Sequence, residues 1–206
     1  MITISARSMS RAIGCKLLGM IKPFLDRALV DLKTLIEQIP RLEPQTQKLC
    51  DAMMSTWNTG GKVLFAGNGG SCTDAMHFAE ELMVRFQKNR QALAAIALCD
   101  SSVITCAGND FGYDQIFSRQ IEGIGRPGDV FVGFTTSGNS PNMIRAFEAA
   151  RKLKIITVGM LGRDGGKCLP LCDIPIVVPH NASCRIQEVH KFLYHTICEW
   201  VDSKVD

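Results

Sequence analysis

Four short runs in this chain are apolar at almost every position: KVLFA (62–66), DVFVGF (129–134), IITVGML (155–161) and IPIVV (174–178). A strand with one wet face alternates polar and apolar residues, whereas these runs must be covered on both sides. Each is too short for a buried helix, and glycine, aspartate or proline brackets it. ALAAIAL (92–98) is a fifth, alanine-rich strand candidate. Segments of helical character separate the runs, at 73–86, 101–108, 113–124 and 141–153, and a last helix is expected over 185–201. Doubly buried strands alternating with helices specify an α/β fold, a three-layer doubly wound parallel sheet. Two helices precede it. Phe24, Leu25, Leu29, Leu32, Leu35 and Ile36 recur at spacings of three and four, and Pro40 ends that helix. Leu49, Met53 and Trp57 mark the second, which stops at Thr59-Gly60-Gly61.

The 206 residues suffice for one domain over 21–206, with residues 1–20 as an N-terminal extension expected to be poorly ordered. That extension carries Arg7, Arg11 and Lys16 and no acid, but its apolar part is too short for a secretory core. A net charge of +3 without a basic run interleaved with aromatics argues against nucleic acid as a partner. No stretch approaches the roughly 20 apolar residues of a membrane span. The nine cysteines are scattered and form no paired framework, which fits reduced thiols in a cytoplasmic protein. Cys168 and Cys172 lie four apart, but no second pair or nearby histidine completes a zinc knuckle.

In open parallel sheets ligands collect beyond the carboxyl ends of the strands. Two loops there stand out. TTSGNSP (135–141) offers the hydroxyls of Thr135, Thr136, Ser137 and Ser140 around one glycine, with Pro141 where a first helical turn tolerates it. One helix cap needs one hydroxyl, so the surplus points to the oxygens of a phosphate. GNGGS (67–71) lacks the lysine of a nucleotide-binding loop and is weak alone. It opens a helix in which His77 and Glu81 share a face at i, i+4, a pair that taken alone is often only a surface ion pair and is also compatible with a metal site or acid–base chemistry. The terminal helix carries Gln187, His190 and His195, with Gln187 and His195 two turns apart.

GNGGSCTDAMHFAEEL, AGNDFGYDQIFSRQIE, TTSGNSPNMIRAFEAARKLKIITVGMLGRDGGK and RIQEVH together resemble the phosphoheptose isomerases, members of the SIS (sugar isomerase) superfamily. The resemblance spans about residues 24–202. It implies a flavodoxin-like homotetramer with sites between subunits, one Zn2+ per subunit, and conversion of sedoheptulose 7-phosphate to D-glycero-D-manno-heptose 7-phosphate for ADP-heptose and lipopolysaccharide core synthesis. It further implies His77, Glu81, Gln187 and His195 as metal ligands, with Glu81 and His195 also the proton-transfer pair. Thr135, Thr136, Ser137 and Ser140 would hold the phosphate. Asn68, Gly69, Gly70, Ser71, Arg85, Asp100 and Gln187 would meet the sugar. The same motifs are compatible with an isomerase of another phosphosugar, or with a non-catalytic adaptor of the superfamily. Cys184 stands where relatives usually have an acid, and Cys72-Thr73 where they have His-Cys.

Overall fold

The computed structural model describes residues 20–205; the expected extension lies almost wholly outside them. Helices α1 (Lys22–Ile36) and α2 (Glu43–Asn58) lead into five strands, β1 (Val63–Gly67), β2 (Ala95–Ala97), β3 (Val130–Thr135), β4 (Ile156–Gly162) and β5 (Ile174–Val178). Between and after them come α3 (Gly70–Met83), α4 (Ser101–Phe111), α5 (Ser118–Ile124), α6 (Pro141–Lys152) and α7 (Ser183–Asp202). All strands are parallel, in the order β2-β1-β3-β4-β5. Strand order reverses between β1 and β3, and that is the crevice where such sheets bind ligands. The doubly wound α/β fold expected from the apolar runs is the one observed.

The alternation along each strand divides the core in two. Phe65, Val132, Phe134 and Met160 pack under α2, α3 and α7, with Met53, Phe78 and Tyr194. Leu64, Phe131 and Leu161 face α5 and α6, with Ile121, Met143 and Phe147. Helix α1 buries only Leu35 and leaves Phe24, Leu25, Leu29, Val30 and Ile36 exposed.

Several boundaries differ from the sequence expectation, among them that of α4, which runs to Phe111 rather than ending at 108. The glycine turn is itself the first turn of α3, so that helix starts at Gly70 and ends at Met83 rather than running 73–86. The alanine-rich strand shrinks to Ala95–Ala97, because it is an edge strand whose Ile96 side chain faces solvent. The stretch from Tyr113 breaks into a 3-10 turn (Tyr113–Gln115) and the short α5.

One buried ion pair locks α3 to α7. Arg90 donates from Nε to Asp202 Oδ1 at 2.8 Å, with 0% and 7% of the two side chains exposed. Its terminal nitrogens donate to the carbonyl oxygens of Leu82 and Glu81, each at 2.7 Å, satisfying the last orphan carbonyls of α3. Asp202 Oδ2 accepts from the backbone N–H groups of Gln87 and Lys88 at 2.8 and 3.1 Å. Burial alone would raise the pKa of Asp202, but these donors and Arg90 bring it below the ordinary value. Asp202→Ala strands a buried guanidinium, and we expect a loss of about 3–5 kcal/mol in urea unfolding at pH 7. Because the folded pKa is depressed, this stabilisation is present above the unfolded value of about 4 and fades as pH falls further. The difference between wild type and variant should therefore narrow in acid.

Candidate active site

The loops after β1 and β3 stand side by side and are stitched together by a reciprocal amide pair. Asn68 Nδ2 donates to Asn142 Oδ1 at 2.9 Å, and Asn142 Nδ2 donates back to Asn68 Oδ1 at 2.8 Å. The Tyr113 hydroxyl donates to the same Asn68 oxygen at 3.0 Å. Neither Asn142 nor Tyr113 stood out in the sequence, since an asparagine after proline in a helix start has no distinctive spacing.

Gly69, with φ +56°, forms the N-cap of α3. A Cβ on Gly70 would lie 2.7 Å from Gln187 Nε2, so glycine leaves room for that amide where it now sits. Gln187 Nε2 lies 3.4 Å from the Oγ of buried Ser71. Gln187 therefore stands at the start of α3, about 10 Å of helical rise before His77. Within one chain its amide belongs to the glycine turn.

In the second loop the hydroxyls divide their work. Thr135 Oγ1 accepts from Gly138 N at 3.1 Å, and Ser137 Oγ from Asn139 N at 3.2 Å. These two hold the turn. Thr136 Oγ1 meets Ser183 Oγ of α7 at 2.9 Å. Ser140 is the N-cap residue of α6, yet its side chain caps nothing. Its hydroxyl stays available at a helix N-terminus, where the dipole favours an anion.

Farther along α3, His77 Nε2 lies 3.0 Å from Glu81 Oε1. The His195 ring of α7 packs edge-on against His77, with centroids 5.1 Å apart. His77, Glu81 and His195 each offer a ligand atom, all within 4.8 Å of one another. His195 Nε2 is buried without a hydrogen-bond partner. Burial, and then the charge of His77, lower the pKa of His195, partly opposed by Glu81. Two imidazoles and a carboxylate are a donor set that suits a divalent cation, and the buried His195 Nε2 has no other partner. The residues present fit a metal.

The structure thus brings together three expected residues from two helices, and places two others apart. Asp100 caps α4, accepting from Val103 N at 2.9 Å and from Ser102 Oγ, and these bonds lower its pKa. Arg85 lies beyond the end of α3, exposed, donating to Asn89 Oδ1 at 3.0 Å.

The SIS-domain pattern matches residues 29–162. A phosphoheptose isomerase of Paramagnetospirillum magneticum is 46% identical over 182 residues, covering 87% of this chain and 95% of that one. The chain belongs to the phosphoheptose isomerase family. Another member, from Fusobacterium nucleatum, is 48% identical over 158 residues, covering 77% of this chain and 81% of its own. The solved phosphoheptose isomerase of Neisseria gonorrhoeae superposes with a TM-score of 0.82 at 36% identity, covering 88% of this chain and 99% of that one. Against that family background, Cys184 sits exposed in the first turn of α7. Cys72 is half-buried in the first turn of α3, where burial and the neighbouring Cys99 raise its thiol pKa.

Gly138 (φ +63°) tests the second loop. A Cβ there would fall 1.9 Å from the carbonyl oxygen of Gly165, so the backbone must move. Gly138→Ala should lower stability by about 2 kcal/mol or more in denaturant unfolding. It should also weaken binding of inorganic phosphate in calorimetry.

Proposed function

We propose that the chain interconverts sedoheptulose 7-phosphate and D-glycero-D-manno-heptose 7-phosphate by enediol proton transfer. The observation that carries this reading is the meeting of Glu81 and His195, from separate helices, in one cluster beside His77. Family membership supports the substrate class.

Moving a carbonyl from C2 to C1 requires a base for the C1 proton and a donor for O2. Glu81 Oε1 is taken up by His77, and the other carboxylate oxygen is assigned the C–H proton. His195 is assigned to the carbonyl oxygen, where an N–H donor stabilises the charge that develops. The resulting enediol collapses when the same proton is returned to C2 and the O1 hydroxyl gives up its own, leaving an aldehyde at C1. Zn2+ is the proposed metal, held by His77, Glu81 and His195; when bound it supplies a Lewis acid for the carbonyl oxygen.

The phosphate end of the substrate is assigned to Thr135, Thr136, Ser137 and Ser140, supported by the free hydroxyl of Ser140. Asn68, Gly69, Gly70 and Ser71 are assigned to the sugar chain. Gln187 joins them on the strength of its approach to Ser71. Arg85 and Asp100 complete the set as contacts made once substrate is bound. A homotetramer with sites between subunits is supported by the bare apolar face of α1, which a soluble monomer would have to leave in water. A cytoplasmic location fits the scattered unpaired cysteines.

Glu81→Gln should lower kcat/KM for sedoheptulose 7-phosphate by roughly 10²–10⁴-fold, with the thermal unfolding midpoint essentially unchanged. Activity near the wild-type level would remove Glu81 from the base role. Dialysis against a strong chelator should abolish turnover, and Zn2+ should restore it. A wild-type chain inactive on every ketose phosphate offered would favour an adaptor.

A further inference from the structure

Directly behind His77, on the side away from Glu81, lies a buried polar pair that the isomerase chemistry does not use. Tyr194 is 0% exposed, and its hydroxyl sits 3.1 Å from His77 Nδ1. Its ring is immobilised. It stacks on Phe78 (5.3 Å, 19°) and packs edge-on against His195 (4.8 Å, 86°) and Phe134 (6.4 Å, 83°). The second polar neighbour of the phenol is the carboxylate of Asp74, one turn before His77 on α3 and only 4% exposed. Asp74 Oδ2 is buried with no hydrogen-bond partner. Lys191 reaches the other oxygen only at 4.0 Å. A tyrosine hydroxyl carries its hydrogen at neutral pH.

The phenol has one hydrogen and two polar neighbours, His77 Nδ1, to which it is hydrogen-bonded at 3.1 Å, and Asp74, whose Oδ2 is left without a partner. Where it points dictates the tautomer of His77. With the hydrogen on Nδ1, the ring proton resides on Nε2 and is donated to Glu81 Oε1 across the observed 3.0 Å. With the hydrogen turned to Asp74, Nδ1–H donates to the phenol oxygen and Nε2 is bare. Two lone pairs would then face each other across that same gap, and only a cation between them makes this arrangement favourable. The proton count is the same in both states: Nε2 loses one, Nδ1 gains one, and the hydroxyl turns.

We propose that Asp74, Tyr194 and His77 form a buried hydrogen-bond relay that holds His77 in one of two tautomers, one closed onto Glu81 and one with Nε2 open to a divalent cation. Tyr194 is a positioning residue, acting on the site only through His77. The orphaned oxygen of Asp74 is the acceptor that the open state requires. This inference rests on the reading of His77, Glu81 and His195 as a metal centre.

The test uses Zn2+ alone as probe and the full chain. In competition against a chromophoric chelator, Tyr194→Phe should bind Zn2+ some 10–100-fold more weakly than wild type, the usual cost of removing a partner that orients a metal-bound histidine. Its metal-free unfolding midpoint should be unchanged, since the ring remains. In wild-type protein with 15N-labelled histidine, the solid-state spectrum should show the His77 proton on Nε2 without Zn2+ and on Nδ1 with it. The signal is identified by its loss in His77→Gln. Zn2+ affinity within twofold of wild type in folded Tyr194→Phe overturns the relay, as does a His77 tautomer that Zn2+ does not change. If Tyr194→Phe fails to fold, the wild-type spectrum alone decides. A wild-type chain that binds no Zn2+ overturns both the relay and the metal centre. Absence of isomerase turnover alone overturns the proposed function and leaves the tautomer result standing.

Discussion

The ion pair between Arg90 and Asp202 sets the separation of the two helices on which the site depends. Its guanidinium closes the end of α3 by taking the carbonyl oxygens of Glu81 and Leu82, while its partner carboxylate belongs to the last turn of α7. Two charges removed from water are tolerated only when nearly every donor and acceptor is matched, and here six hydrogen bonds do so. Glu81 is thus fixed through its own backbone carbonyl. The histidines of α3 and α7 consequently meet at a ring separation of 5.1 Å.

At the other end of α3 the constraint is steric. Gly70 admits Gln187, and the amide pair between Asn68 and Asn142 couples the loop after β1 to the helix after β3. Both loops flank the point where strand order reverses, so the parallel sheet opens a crevice there without any specialised insertion. The anion-seeking helix start belongs to α6, and the imidazole–carboxylate cluster lies farther along α3 and α7.

Much of the fold was legible because burial on both faces leaves a signature that needs no partner to interpret. VLF, VFV and the strand before Gly162 could be little else. The edge strand was overestimated, since alanine is indifferent between strand and loop, and pairing on one side leaves only three residues in register. The start of α3 was placed late because glycines usually read as a turn, whereas here they form the first helical turn under a close neighbour. The pairing of His77 with Glu81 follows from helical spacing; the arrival of His195 does not. Asp74 shares the His77 face at a spacing of three, a signal that was present and easily passed over. Tyr194, beside a histidine in an apolar helix, carries no local sign of a polar role, and its ring is core.

The linear chain determined the layered α/β architecture, the two hydroxyl- and glycine-rich loops, and the family motifs, because each of these is written in residues close together or in a period of two or four. Only the tertiary structure decided that His195 joins His77 and Glu81, that Gln187 belongs with the glycine turn, and that a phenol and a carboxylate stand behind the histidine. Those contacts link residues more than a hundred positions apart. They depend on the angle and spacing at which α7 packs on α3, and no local pattern encodes an interhelical distance.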